Sequence, residues 1–258
     1  MSSVSAEWTK LRTLPGTGWL LLGVVAATVI VGATVSASLS CTSTAACHPD
    51  ITKLSLTGTY LGQAVVAIVA VLAVTGEYGT GMIRTTLAAM PRRTTVLAAK
   101  AAVVTAVTLA AGTVAALGSL LAGALILPGH GFTAARGYPP LSLADEPLLR
   151  AAAGSVLYLA LVALLSLGIA AAVRDSAVAI GVVLGLLYLF PIVGAVMGGS
   201  QLGRLVQQIG PMTAGLAIQA TTGLDDLPIR PWAGLGVLAA WAAAALLTGG
   251  LVLRSRDA

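Results

Sequence analysis

Residues 77–93 read EYGTGMIRTTLAAMPRR and form a short polar island between two long apolar runs. Glu77 and Arg84 lie seven residues apart, so on a helix they share one face. An apolar stripe with helical spacing runs along the same segment and consists of Ile83, Leu87 and Met90. Pro91 disfavours a helical conformation for the residue before it and ends the segment. The pattern therefore predicts a short helix at a membrane surface, where a soluble partner docks.

The composition of the whole chain is that of an integral membrane protein. It has 258 residues, of which 57% are hydrophobic and 9% are charged. A soluble domain carries about 25% charged residues, so this chain cannot cover a globular surface with polar groups. Its net charge of +5 indicates basic residues that flank membrane spans and gives no sign of nucleic-acid binding. We predict a single all-α transmembrane domain over residues 1–258.

Six apolar runs follow one another along the chain, each close to the roughly 20 residues that cross a bilayer. None of them contains Asp, Glu, Lys or Arg, which argues against a pump or channel that works through buried charges. The predicted spans are residues 16–39, 57–76, 101–127, 151–173, 177–199 and 232–253.

Basic residues predict the orientation of these spans, because cytoplasmic flanks carry an excess of Lys and Arg. With a cytoplasmic amino terminus, the inside set is Lys10, Arg12, Arg84, Arg92, Arg93, Lys100, Arg174, Arg254 and Arg256. The outside set is the smaller one and holds Lys53, Arg136, Arg150, Arg204 and Arg230. We therefore expect both termini in the cytoplasm.

The segments outside the spans give further expectations. Residues 2–13 fit an amphipathic helix lying in the membrane interface, although a frayed tail is the alternative. Residues 200–231 are too apolar for a plain loop and predict short extracellular helices broken at Gly210-Pro211. Two G-x-x-x-G patterns, at 181–185 and 194–198, suit close helix packing but also fit chance in a glycine-rich chain.

Few residues carry a recognisable chemistry. The sequence contains no G-x-x-x-x-G-K-[ST] phosphate loop, so any ATP must be bound by another chain. Cys41 and Cys47 are expected to form a small disulfide in an outside loop. One alternative is a metal site formed by these thiols with His48 and the nearby Asp50, and the other is a pair of free cysteines. We predict no metal site and no catalytic residue. Candidates for lining a cavity, or else for ordinary packing, are Tyr60, Gln63, Tyr158, Tyr188 and Phe190.

Several stretches together resemble bacterial ATP-binding-cassette permeases of the second type, the six-span exporter-like class. They are SAEWTKLRT at residues 5–13, the island at residues 77–93 with Lys100 after it, RDSA at residues 174–177, and Gly210-Pro211. Each motif is short, and the resemblance depends on their order along the chain. It extends from about Ser5 to Leu253.

The resemblance implies an exporter subunit in a bacterial plasma membrane. Two permease subunits, identical or homologous, would pair in the bilayer above two ATPase subunits that bind Mg-ATP, and an amphipathic or hydrophobic substrate would leave through the cavity between them. This chain itself would hold no cofactor and would not be an enzyme.

The resemblance also implies roles for individual residues. The connecting helix on the inner surface would include Glu7, Trp8, Lys10, Leu11 and Arg12. The coupling helix, which would contact the ATPase, would include Glu77, Tyr78, Gly79, Thr80, Arg84, Leu87, Pro91, Arg92 and Arg93. A local ion pair or a solvated loop is the alternative role for Glu77 and Arg84. Other functions remain open: a scaffold or sensor moved by an ATPase without transport, or a secondary transporter or channel that needs no ATP.

Overall fold

The computed structural model of the chain describes residues 15–41, 49–79, 93–138, 141–142 and 144–255. Within these ranges all regular elements are helical, as predicted. The α-helices are α1 (Pro15–Ser38), α2 (Ile51–Ser55), α3 (Thr59–Gly79), α4 (Arg93–Ile126), α5 (Glu146–Val173), α6 (Ser176–Val196), α7 (Gln201–Ile209), α8 (Pro211–Gly215) and α9 (Pro231–Ser255). The 3-10 turns are Leu56–Gly58, Leu127–His130, Ala134–Arg136, Leu216–Gln219 and Leu224–Asp226.

Six helical segments of the described chain are long and apolar enough to cross a membrane. They are α1, α4, α5, α6, α9 and the continuous run of α2, its 3-10 turn and α3. Six spans were predicted, and that number is confirmed. Together these helices indicate a multi-pass membrane protein.

The helices extend beyond the predicted spans at several ends. α4 begins at Arg93 and not at residue 101, and α5 begins at Glu146 and not at residue 151. A charged residue ends an apolar window, but it does not end a helix whose polar end leaves the hydrocarbon. Asp50 starts the second span by accepting a hydrogen bond from the Lys53 amide at 3.0 Å, so this span also begins earlier than predicted.

The segment between the last two spans contains the expected short helices. α7 ends at Ile209 and α8 begins at Pro211, so the break falls at the predicted Gly-Pro pair. Before α7, Gly198 has a left-handed backbone with φ of 57°, and α6 therefore ends at Val196, short of the predicted residue 199. Ser200 then caps α7 by accepting from the Gly203 amide at 3.0 Å.

α5 is the central helix of the bundle. Of its 28 residues, 16 are buried inside the protein, against 4 of 21 in α6 and 7 of 25 in α9. It packs against α3, α4, α6 and α9, while α1 packs on the other side against α3 and α4. Leu159, Leu165 and Leu167 of α5 are almost fully buried. The outer spans expose large apolar side chains, as expected for surfaces that face lipid.

Glycines allow two pairs of spans to approach at backbone distance. An added Cβ at Gly168 of α5 would lie 2.5 Å from the Ala245 carbonyl carbon of α9. A third G-x-x-x-G pattern, Gly58 and Gly62, crosses α1: a Cβ at Gly58 would overlap the Thr28 carbonyl, and one at Gly62 would overlap the Thr28 hydroxyl. Small residues at this spacing let helix backbones come together without a side chain between them.

The two G-x-x-x-G patterns noted in the sequence do not play this part within the chain. Nothing lies within 4 Å of a Cβ built at Gly181 or at Gly185, and both residues are exposed on α6. In the second pattern, only Gly194 meets another element, with Gln207 3.1 Å from a built Cβ. The close packing is therefore at Gly58 and Gly62, a pattern that the sequence analysis did not single out.

Gly58→Ala should destabilise the protein, because the added methyl group meets the backbone of α1 and not a flexible side chain. We expect a loss of about 1–3 kcal/mol in the free energy of unfolding, measured by denaturation in mixed micelles. The matched control is Gly181→Ala, the first glycine of an open pattern, which should change stability by less than about 1 kcal/mol in either direction. Equal losses for the two variants would contradict this packing.

Candidate functional site

The proposed coupling segment lies mostly outside the described residues. Thr80, Arg84, Leu87, Pro91 and Arg92 fall in this part of the chain, as do the connecting-helix residues at 7–12. The backbones of Glu77, Tyr78 and Gly79 belong to α3, and that of Arg93 begins α4. The assignment of these residues to an ATPase interface therefore stays a prediction.

Three polar contacts tie the spans together at the end of the bundle that carries residues 77–93. The buried Lys100 of α4 donates from its ammonium to the Ala73 carbonyl of α3 at 3.2 Å. Ser176, at the start of α6, donates to the Thr75 hydroxyl of α3 at 2.8 Å. These bonds fix the end of α3 against both α4 and α6.

The third contact at this end uses Arg174, between α5 and α6. Its guanidinium donates to the Val252 carbonyl of α9 at 3.3 Å. Its backbone is left-handed, with φ of 66°, and its amide caps α5 by donating to the Ala170 carbonyl at 2.9 Å. A non-glycine residue holds this conformation only where neighbouring contacts offset the strain. Arg174 therefore fixes the sharp reversal from α5 to α6 while it contacts the last span.

Asp50 organises the opposite end. Its carboxylate accepts from the Thr221 amide, from the Thr221 hydroxyl at 2.7 Å and from the Thr222 amide at 3.1 Å, in addition to the cap at Lys53. Charge-assisted hydrogen bonds of this kind are among the stronger polar contacts in proteins. Asp50 thus joins the start of the second span to the segment that leads into the last span.

Two further side chains, one on α5 and one in the segment itself, hold the segment of Thr221 against α5. Arg150 donates to the Ala220 carbonyl at 2.7 Å. The fully buried Gln219 donates to the Ser155 hydroxyl at 3.0 Å and to the Leu56 carbonyl at 3.5 Å. The end of the bundle with the fewer basic residues is therefore closed by a network that spans α2, α5 and residues 219–222.

Cys41 belongs to the same end. Its amide donates to the His130 carbonyl at 2.9 Å, and its carbonyl accepts from Arg136. It is buried with Leu127 and Phe132 in a small apolar cluster. Cys41 is disulfide-bonded, and Cys47 lies outside the described residues, so their pairing stays a prediction.

Most of the candidate cavity residues do come together, in the middle of the bundle. Tyr158 of α5 donates its hydroxyl to the Gln63 amide oxygen of α3, and both side chains are fully buried. The Gln63 amide nitrogen donates to the Met212 sulfur at 3.1 Å and to the Tyr60 carbonyl at 3.2 Å. Tyr188 of α6 donates to the same Tyr60 carbonyl. We call Tyr60, Gln63, Tyr158, Tyr188 and Met212 the central polar cluster.

Phe190 is not part of this cluster. Its ring contacts the Trp241 ring of α9 edge to face, with 6.2 Å between the ring centroids. The Trp241 indole nitrogen donates to the Ile209 carbonyl at 2.9 Å, at the end of α7. Phe190 therefore packs α6 against the last span and is not placed with the other cavity candidates.

Sequence reasoning missed Met212, Asp50 and Gln219 as site residues. Gln63 stood out because it is an amide inside an apolar span, whereas Gln219 lies in a mixed segment where an amide carries no signal. Asp50 was considered only as a metal ligand, yet it serves as a helix cap and loop anchor. Among the residues that the structure describes, no three His, Cys, Asp or Glu side chains are grouped as metal ligands would be.

Comparison with known proteins does not assign the chain to a family. No protein-family model matches it, and no curated protein matches it significantly.

The hydrogen bond between Tyr158 and Gln63 should measurably stabilise the bundle. Tyr158→Phe leaves a buried amide oxygen without its donor, so we expect a loss of about 1–2 kcal/mol in unfolding in mixed micelles. A double-mutant cycle with Gln63→Leu should give a coupling energy of about 0.6–1.7 kcal/mol. Tyr60→Phe is the control, because the Tyr60 hydroxyl has no hydrogen-bond partner among the described residues. Strict additivity in the cycle would contradict the contact.

Asp50→Ala should loosen the end of the bundle that Asp50 organises. The Thr221 and Thr222 amides lose their acceptor, so hydrogen exchange over residues 220–223 should become faster by about tenfold or more. Asp225→Ala is the control, since Asp225 is exposed on a nearby 3-10 turn and caps no amide in the described chain. Unchanged exchange in the Asp50 variant would show that this anchor is dispensable.

Proposed function

We propose that the chain is the permease subunit of an ATP-driven exporter of the ATP-binding-cassette type. Two such subunits, identical or homologous, pair in the bacterial plasma membrane with two separate ATPase subunits that bind Mg-ATP. An amphipathic or hydrophobic substrate passes outward between the two permeases. Both termini, together with residues 77–93, face the cytoplasm. The proposal draws on the resemblance described above and on three features of the fold.

The observation that carries most weight is the length of the helices on either side of residues 80–92. α4 has 34 residues and is therefore about 51 Å long, against about 30 Å of hydrocarbon. Even at a tilt of about 40° its projection is about 39 Å. Its first residue, Arg93, is basic, and α3 continues to Gly79. Residues 80–92 are thus joined to two helices, one of which is too long to stay within the hydrocarbon.

The second feature is the absence of a flexible linker between this segment and the bundle. α3 runs without interruption from Thr59 to Gly79. Within a few residues of its end it is bonded to α4 through Lys100 and to α6 through Ser176. A force applied by an ATPase to residues 80–92 would therefore act on three spans at once, as a coupling helix requires.

The third feature is the connection from α3 to the centre of the bundle. Gln63, on the same helix, bonds to Tyr158 of the buried α5, and the Tyr60 carbonyl accepts from Tyr188 of α6. A movement of α3 would break or re-form these hydrogen bonds. In this proposal the central polar cluster changes its arrangement between two states of the transporter, and the ATPase supplies the free energy for the change.

Glu77→Ala and Arg84→Ala should lower the substrate-stimulated ATPase rate of the assembled complex several-fold, because both residues belong to the proposed coupling face. The complex is purified from the native membrane with the ATPase that co-purifies with the chain, and ATP hydrolysis is measured after reconstitution. Expression and membrane insertion should stay at wild-type levels. Arg204→Ala, an exposed cation on α7 far along the chain from this segment, is the matched control and should keep the full rate.

Two results would contradict the proposal. One is wild-type turnover by both coupling-face variants in a complex that does contain the ATPase. The other is solute movement by the purified chain alone, without nucleotide, which would favour a secondary transporter or channel.

A further inference from the structure

A cavity of about 190 Å³ opens beside the central polar cluster, where α2, α3 and α6 meet α7, α8 and residues 227–229. Its walls are of two kinds. The polar part includes Lys53, Tyr60 and Gln207, and the apolar part includes Met212, Leu216 and Pro228. We call this space the Lys53 cavity. It lies at the end of the bundle that Asp50 organises, opposite residues 77–93.

Three polar side chains of the Lys53 cavity are not used by the fold, whereas the fourth, Thr213, donates to the Gln207 and Gly210 carbonyls. Among the described residues, the Lys53 ammonium has no ion pair and the Tyr60 hydroxyl and Gln207 amide have no hydrogen-bond partner. The Asp50 carboxylate, three residues from Lys53, is already occupied by hydrogen bonds from residues 221 and 222.

Other acidic side chains of this end do not neutralise Lys53. Asp145, Glu146, Asp225 and Asp226 are exposed, and none of them lines the cavity. The Asp226 carboxylate is turned toward Gly223, 3.9 Å from a Cβ built there. The cavity therefore contains one positive charge, with further polar groups and no carboxylate in its wall.

The arrangement of these groups has a direction. Lys53 and Tyr60 lie seven residues apart on one helical run, a separation of roughly 10–12 Å along its axis. The sulfur of Met212 marks the inner side of the cavity, where it accepts from Gln63. An ammonium thus stands near the polar end of the span, and the apolar Met212 side chain lies deeper in the bundle, beside Gln63. This is the polarity of an amphiphile in a bilayer, with its head at the interface and its chain inside.

We propose that the Lys53 cavity binds an amphiphile with an acidic head, a carboxylate or a phosphate on an acyl or alkyl chain. Lys53 pairs with the head, Tyr60 and Gln207 supply hydrogen bonds, and Met212 and Leu216 contact the first part of the chain. Pockets that enclose a whole drug-sized ligand measure about 300–1,000 Å³, so this smaller cavity holds only one part of a longer molecule. The rest of its chain lies along the lipid-facing surface.

This binding site is a property of the chain by itself. It does not require the proposed ATPase partner, and the two ideas are tested on different preparations. Loss of stimulated ATPase in the coupling variants would leave the Lys53 cavity untouched, and failure of amphiphile binding would leave the permease assignment standing.

The test uses the purified full chain in lipid discs made of phosphatidylcholine. The probe is dodecanoic acid with a diazirine on the first part of its chain, close to the carboxylate, and the matched neutral probe is the corresponding alcohol. After illumination, labelled peptides are identified by mass spectrometry. We expect the acid to label the peptide that contains residues 211–217, with much weaker labelling by the alcohol.

Two variants separate the charge of Lys53 from its size, and a third is the control. Lys53→Met should reduce labelling of that peptide by the acid about tenfold or more, because a charge-assisted contact is lost. Lys53→Arg should retain most of it. Arg204→Met removes an exposed cation of α7 that does not line the cavity, and should label like the wild type. Lys53 is itself exposed, so its replacement leaves the core intact.

A second set of lipid discs shows whether the acidic head belongs to a membrane phospholipid or to a free amphiphile. If membrane phospholipid is the occupant, including phosphatidylglycerol should suppress labelling by the acid; if a free amphiphile is the occupant, labelling should persist. Either result supports the site. The proposal is overturned if Lys53→Met labels like the wild type, if the alcohol labels as strongly as the acid, or if the labelled peptide lies elsewhere.

Discussion

The burial of α5 is the constraint on which the remaining structure depends. Four other spans pack against this helix, and its fully buried side chains include Tyr158 and Leu165. In a bilayer the hydrophobic effect does not drive helices together, so their association requires close packing and hydrogen bonds between helices. α5 provides both: Gly168 admits the backbone of α9, and Tyr158 bonds to Gln63 of α3. The first contact fixes the last span, and the second fixes the position of α3.

The spans are mostly apolar, so polar contacts between them are few. The contacts described above fall in three layers. One end carries the bonds of Lys100, Ser176 and Arg174, and the other end carries the network of Asp50 and Gln219. The central polar cluster is the layer between them. Exposed contacts near the ends, such as that of the Thr222 amide with Asp50, can exchange with water when helices move, whereas the fully buried Gln63 has no such substitute. A rearrangement of the bundle is therefore most constrained at its centre, where α3, α5 and α6 meet.

The local sequence was sufficient to predict the membrane spans, but not to predict which helices pack against one another. Six apolar windows predicted six membrane helices, because length and hydrophobicity decide insertion without reference to neighbours. Gly58 and Gly62 look no different in sequence from Gly181 and Gly185, yet only the first pair meets another backbone. The neighbouring helix decides which glycines pack.

The same limit applies to polar partners and to element ends. The bond of Tyr158 to Gln63 joins residues 95 positions apart, and that of Thr221 to Asp50 joins residues 171 apart, so neither has a local pattern. Tyr60, Gln63 and Tyr188 were recognisable as candidates because polar side chains are rare in apolar runs, but which of them bond to one another was not. Predicted span ends fell short where charged residues such as Arg93 and Glu146 continue a helix beyond the hydrocarbon.

The run from Ile51 to Gly79 connects the three layers in a single rigid path. It begins at the cap made by Asp50, crosses α1 at Gly58 and Gly62, and ends where residues 77–79 lead into the proposed coupling segment. Because the crossing with α1 is backbone against backbone, no flexible side chain there can absorb a displacement of the run. A push at Gly79 would then move Gln63 and Lys53 in a correlated way. In that case occupancy of the Lys53 cavity at one end and contact with an ATPase at the other would bias the same helix, and each would alter the affinity for the other, as linkage requires.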